Sequence, residues 1–134
     1  LLERVEQACG ESIEVVPGIS AAQIAACRAR TPFDTTAFVS FHKRGDLERD
    51  KAYLREVVRG GRAAIVIPRP WDFMPEAIAG FLIAADVAAG TRTVVYENLT
   101  GAEGEWRGTL EDLSRGARGK PFGDMSILVI GARA

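Results

Sequence analysis

Apolar positions along this chain switch between two rhythms, and the switches mark its elements. The opening LLERVEQAC spaces Leu1, Leu2, Val5 and Ala8 at helical intervals. A short β-branched run over residues 13–16 then reads as a strand, Pro17-Gly18 breaks it, and Ser20 opens an alanine-rich helix towards Ala29. Ser20 and Gln23 have the spacing of a capping box, which fixes that helix start. Thr31-Pro32 ends it, because the residue before a proline is pushed away from helical dihedrals. A second strand is expected over residues 36–41, then the charged HKRGDLERDK and a helix over 46–59 with Leu47, Leu54, Val57 and Val58 inward. Gly60-Gly61 closes this helix. The unbroken run AAIVI at 63–67 suits a strand covered on both faces in a parallel sheet.

Pro68-Arg69-Pro70-Trp71 interrupts the pattern, and Asp72 with Pro75 starts a helix to about Ala85 whose core face is Ile78, Phe81 and Leu82. Strands are predicted at 93–97, 105–108 and 126–130, with a short helix opened by Thr109 and Asp112 and a glycine-rich basic turn at 116–123. This alternation predicts an α/β fold, a sheet flanked by helices. There is no internal repeat and no low-complexity tract.

Composition narrows the class. With 134 residues, 47% apolar and 26% charged, the chain can bury a core, and 17 basic residues nearly cancel 18 acidic ones. No net basic field is present to hold nucleic acid. Apolar runs are too short to span a bilayer, which needs about 20 residues. Cys9 and Cys27 form no CxxC pair and are expected to be small buried thiols in a reducing cytoplasm. The chain starts without methionine and inside a helical pattern, as a fragment of a longer polypeptide would; a processed mature chain is the alternative.

Ligands of α/β sheets bind beyond the carboxyl ends of the strands, so four loops qualify: 17–20, 41–45, 68–71 and 98–104. His42 is the only histidine and has no ligand partner at metal spacing, and GxSxG, P-loop and GxGxxG motifs are absent. The HKR stretch, His42, Lys43 and Arg44, is either a cationic loop for carboxylates or a solvated turn. Arg69 between two prolines either aims at an acidic ligand or shapes a bend. Trp71 and Trp106 either stack on a planar ligand or pack in the core. The turn before Ser20 is either an ordinary strand-to-helix connection or a ligand-binding turn with free backbone donors.

IEVVPGISAAQIAACRARTPFD at 13–34 resembles the segment joining the two domains of the tetrapyrrole methylases, S-adenosylmethionine-dependent enzymes. VSFHKR, YENLTGAEGEWRGTLEDL and MSILVIG resemble the branch that methylates precorrin-7 or cobalt-precorrin-7 at carbon 5 in cobalamin biosynthesis. The resemblance implies the end of an N-terminal domain at 1–35 and a C-terminal α/β domain with a mixed sheet at 36–134. It implies S-adenosylmethionine contacts at Ser20, Ala21, Pro68 and Leu99, and tetrapyrrole contacts at His42, Lys43, Arg44 and Arg69. Asp86 stands where the family usually has a glycine at a helix end. A cytoplasmic homodimer with no nucleic-acid or membrane partner is implied, no catalytic residue is assigned, and this chain without the rest of the N-terminal domain is expected to be inactive. The alternatives are a relative acting on another tetrapyrrole, ribosomal RNA or a diphthine precursor, and a non-catalytic dimerisation or regulatory module.

Overall fold

The computed structural model describes residues 2–10, 12–99, 101 and 103–132. Its elements run α1 (Leu2–Cys9), α2 (Ala21–Arg28), β1 (Ala37–Ser40), α3 (Glu48–Arg59), β2 (Ala64–Ile67), α4 (Pro75–Ala84), β3 (Arg92–Glu97), β4 (Gly104–Thr109), α5 (Leu110–Ser114) and β5 (Ser126–Ile130). The strands form one mixed sheet in the order β1-β2-β5-β3-β4. Only β1 and β2 are parallel; β5 lies antiparallel between β2 and β3, and β4 closes the sheet antiparallel to β3.

Side-chain alternation explains two separate cores. Val39, Val66, Val95, Leu128 and Ile130 face α3, α4 and α5, whose Leu54, Ile78, Leu82 and Leu113 are buried with them. Ile65, Val94, Tyr96, Ile127 and Val129 face the other way onto α2. That helix presents Ala22, Ala25, Ala26 and Ala29, spaced i, i+3, i+4, i+7, so small side chains let its backbone lie close to the sheet. The apolar run of β2 is therefore covered on both faces, as its composition predicts, although it is parallel to β1 alone.

Two expectations are corrected. Residues 13–16 form no strand: Val15 and Val16 are exposed, and the run pairs with neither edge of the sheet. A β-branched run becomes a strand only where a neighbour takes up its backbone groups. Cys9 and Cys27 are exposed. Cys27 falls outside the alanine stripe of α2, and α1 buries no residue. Of the helical spacing read at the start of the chain, Leu1 lies outside the described residues.

Helix signals in the sequence match their structural roles. The Ser20 backbone N–H donates to Gln23 Oε1 at 3.1 Å, and Ser20 Oγ accepts from the Ala22 N–H at 3.1 Å. At α5 the exchange is fully reciprocal, the Thr109 N–H donating to Asp112 Oδ2 and Thr109 Oγ1 accepting the Asp112 N–H. Asp86 follows α4 in the left-handed region at φ 62°, and the Val87 N–H closes the turn onto the Leu82 carbonyl. Glycine adopts that conformation without the Cβ penalty. Asp86→Gly is expected to stabilise the fold by about 1 kcal/mol, read as a rise in thermal midpoint; a fall would show that the aspartate side chain holds the turn.

No described helix is long and apolar enough to cross a membrane. Among the described residues no cluster of three metal-ligating side chains occurs.

Candidate functional site

Register places the site. Ser40 pairs with Ile67, Val66 with Leu128, Glu97 with Ser126 and Glu97 with Gly104. One edge of the sheet therefore gathers the carboxyl ends of β1, β2 and β3 and the amino ends of β5 and β4. A cavity of about 320 Å³ opens there, with Ala21 at the start of α2 on one side and His42, Ile67 and Leu99 from the ends of β1, β2 and β3 around it. Its remaining wall is Asp124, Met125, Ser126 and Ile127, where the chain enters β5.

Three of the eight site residues predicted from the sequence, Ala21, His42 and Leu99, line this cavity. Ser20 adjoins it as the N-cap of α2 but spends its side chain on that helix. Pro68 is buried immediately after Ile67. The free backbone donors expected at this turn reduce to fewer groups. The Ala22 N–H goes to Ser20 Oγ and the Gln23 and Ile24 N–H groups go to the Ser20 carbonyl, so the Ala21 N–H is the first-turn donor with no acceptor among the described residues.

The cationic residues lie outside the cavity. Lys43 Nζ pairs with Asp50 Oδ2 at 2.5 Å, whereas Arg44 is exposed and has no ion pair among the described residues. Arg69 has all three guanidinium nitrogens in use: Nε and Nη2 hold both Asp72 oxygens at 2.5 and 2.9 Å, and Nη1 donates to the Gly45 carbonyl at 3.0 Å. It thus ties the loop after β2 to the loop after β1. Of the loop predicted at 98–104, Thr100 and Ala102 lie outside the described residues. Trp106 is half-buried and meets Phe122 edge-on at 6.2 Å, a packing role, whereas Trp71 is exposed.

Sequence reasoning missed the wall at 124–127 and the device that holds it. Glu97 Oε1 accepts the Gly123 N–H at 2.7 Å and Oε2 accepts from the Arg118 guanidinium, which lies 4.3 Å over the Phe122 ring. Ser126 Oγ donates to the Gly123 carbonyl at 2.5 Å. The Arg118 hydrogen bond, helped by the Gly123 N–H and against the cost of burial, holds the Glu97 carboxyl below the usual carboxylate range. The missed signal is strand direction, since a search of carboxyl ends alone omits the amino end of an antiparallel β5.

A model of the Tetrapyrrole (Corrin/Porphyrin) Methylases matches residues 1–114. The chain belongs to this family. No curated protein matches it. Among solved structures, the tetrapyrrole-methylase fold recurs in the methyltransferase CobJ, at 18% identity and TM-score 0.71 over 99% of this chain and 56% of that one. It recurs in uroporphyrin-III C-methyl transferase from Thermus thermophilus complexed with S-adenosyl homocysteine, at 20% identity and TM-score 0.67, covering 96% and 57% of the two chains. It is also similar to the cobalamin biosynthesis precorrin-6Y methylase from Archaeoglobus fulgidus, at 21% identity and TM-score 0.58, covering 99% and 57%. The chain thus spans little more than half the length of these solved relatives, and at these identities the likeness shows the tetrapyrrole-methylase fold.

Proposed function

We propose that this chain forms one wall of an S-adenosylmethionine site in a C-methyltransferase of cobalamin biosynthesis, with carbon 5 of precorrin-7 or cobalt-precorrin-7 as the acceptor. The observation that carries the cofactor half of this reading is the cavity at the sheet edge, where Ala21, Ile67 and Leu99 meet. Its residues fit an adenosine moiety: Ile67, Leu99, Met125 and Ile127 offer apolar walls, the Asp124 carboxylate suits a hydroxyl donor, and the Ala21 N–H suits an acceptor. Ser20 and Pro68 would fix the backbone of the two approaching turns. When bound, S-adenosylmethionine supplies an activated methyl on its sulfonium, so the protein's task is to align the acceptor carbon and exclude water. No side chain in the cavity is assigned as a base.

The acceptor rests on the resemblance of the motifs quoted above, and a cobalamin biosynthesis methylase is among the structures that share the fold. Residues 1–35 would then complete an N-terminal domain and 36–134 form the C-terminal one, in a cytoplasmic homodimer. Arg44, exposed and without an ion pair among the described residues, together with Lys43 and the imidazole of His42 at the cavity wall, offers hydrogen-bond donors that suit a substrate rich in carboxylates.

Calorimetric titration of S-adenosylhomocysteine into the protein with both halves present in its relatives tests the site. Ala21→Leu places extra methylenes in the cavity and is expected to cost about 1–3 kcal/mol of binding, with the far-ultraviolet spectrum unchanged. Equal affinity in wild type and Ala21→Leu would move the cofactor elsewhere, and no binding by the wild type would remove the methyltransferase reading.

A further inference from the structure

Beside the cavity stands one large aromatic that packing does not account for. Trp71 is 58% exposed and belongs to neither core. Isolated exposed apolar side chains are ordinary, so exposure alone says little. Three further facts set Trp71 apart. Its turn is stiff: Pro70 precedes it, and Arg69 and Phe73 exchange both backbone hydrogen bonds across it at 3.0 Å. The Arg69 clamp on Asp72 and Gly45 then fixes that turn against the loop after β1. Finally, the His42 ring lies 5.9 Å from the Trp71 ring, and His42 is itself a wall of the cavity. The turn that carries the indole is therefore fixed beside the site, with an arginine 5.7 Å from the ring centre.

We propose that Trp71 is the platform on which the flat face of the tetrapyrrole stacks, with Arg44 taking a peripheral carboxylate. This rests on the methyltransferase reading and adds the residues that hold its substrate. A rigid indole loses little conformational freedom on binding and offers a large face to a conjugated ring. Arg44 lies four residues beyond the end of β1 at Ser40, is exposed, and has no ion pair among the described residues. Arg69 takes a different part: its nitrogens are held by Asp72 and Gly45, so it positions Trp71 and leaves carboxylate binding to its neighbours.

Uroporphyrin III, a planar macrocycle with carboxylate arms, is the probe, and its visible absorption band reports binding in every variant. Trp71→Ala is expected to weaken binding roughly tenfold, Trp71→Phe to restore most of it, and S-adenosylhomocysteine binding to stay unchanged. In Trp106→Phe of this chain, which leaves Trp71 as its sole tryptophan, indole emission should be quenched with the same midpoint as the absorption change. Wild-type affinity for uroporphyrin III in Trp71→Ala would overturn the platform and leave the cofactor reading standing. Wild-type binding of S-adenosylhomocysteine but not of uroporphyrin III would do the same. Binding of neither by the wild type would overturn both.

Discussion

Glu97→Ala is expected to destabilise the fold by about 3 kcal/mol and to loosen the wall at 124–127. The carboxylate and its arginine are only 12% and 17% exposed, so removing one leaves the other poorly solvated. Arg118 is already short of partners, its Nη1 being buried without an acceptor among the described residues. The mutation also frees the Gly123 N–H that holds the loop to the end of β3. Acid should reproduce part of this. The folded carboxyl is held below its ordinary value of 4.5. Its contribution is therefore complete at pH values above that and is given up as protons enter the folded state at lower pH. Denaturant curves of wild type and Glu97→Ala should draw together as the pH falls below 4.5 and on through the depressed folded value. A constant gap down to pH 2.5, or a loss under about 0.5 kcal/mol at neutral pH, would reduce the pair to a surface contact.

Leu128→Ala is expected to cost more, about 4 kcal/mol, or a fall of roughly 15 °C in thermal midpoint. Leu128 is fully buried in β5, the central strand of the sheet, and it points at the core shared with α3, α4 and α5. Neighbours on both sides of the sheet are fixed by backbone pairing, so the space left by its isobutyl group cannot close by a strand shift. Urea melts measure the loss directly. A cost below about 2 kcal/mol would mean that the helices of this face can settle inward.

Local signals in the sequence survive well where the structure uses them locally. The capping pairs Ser20-Gln23 and Thr109-Asp112 and the apolar face of Leu54, Val57 and Val58 depend on residues within one or two helical turns. Residues 13–16 illustrate the limit: their composition suits a strand, but strand formation depends on a partner that the sequence does not name. Strand direction has the same character. Nothing in SILVI reveals that it runs against both neighbours, and with that direction unknown the residues at 124–127 were invisible as part of the site. The pairing of Glu97 with Arg118 spans 21 residues and depends on how the intervening β4 and α5 return the chain. By contrast the loops that hold His42 and Leu99 follow recognisable element ends, whereas Ala21 and Leu99 as ligand contacts rest on the resemblance to the tetrapyrrole methylases and not on local pattern.

The position of β5 also governs the order in which the sheet can be assembled. β2 and β3 share no backbone hydrogen bonds, and the strand that bridges them is fifth in sequence. Without residues 126–130 the sheet would be two separate pairs, β1-β2 and β3-β4, with the inner edges of β2 and β3 unpaired. Such edges pair readily with other chains. Closing the sheet brings together segments about sixty residues apart, from Ala64 to Ile130, a non-local step of the kind that slows folding. The strand that completes the ligand edge is thus also the one that shields the unfinished sheet from association.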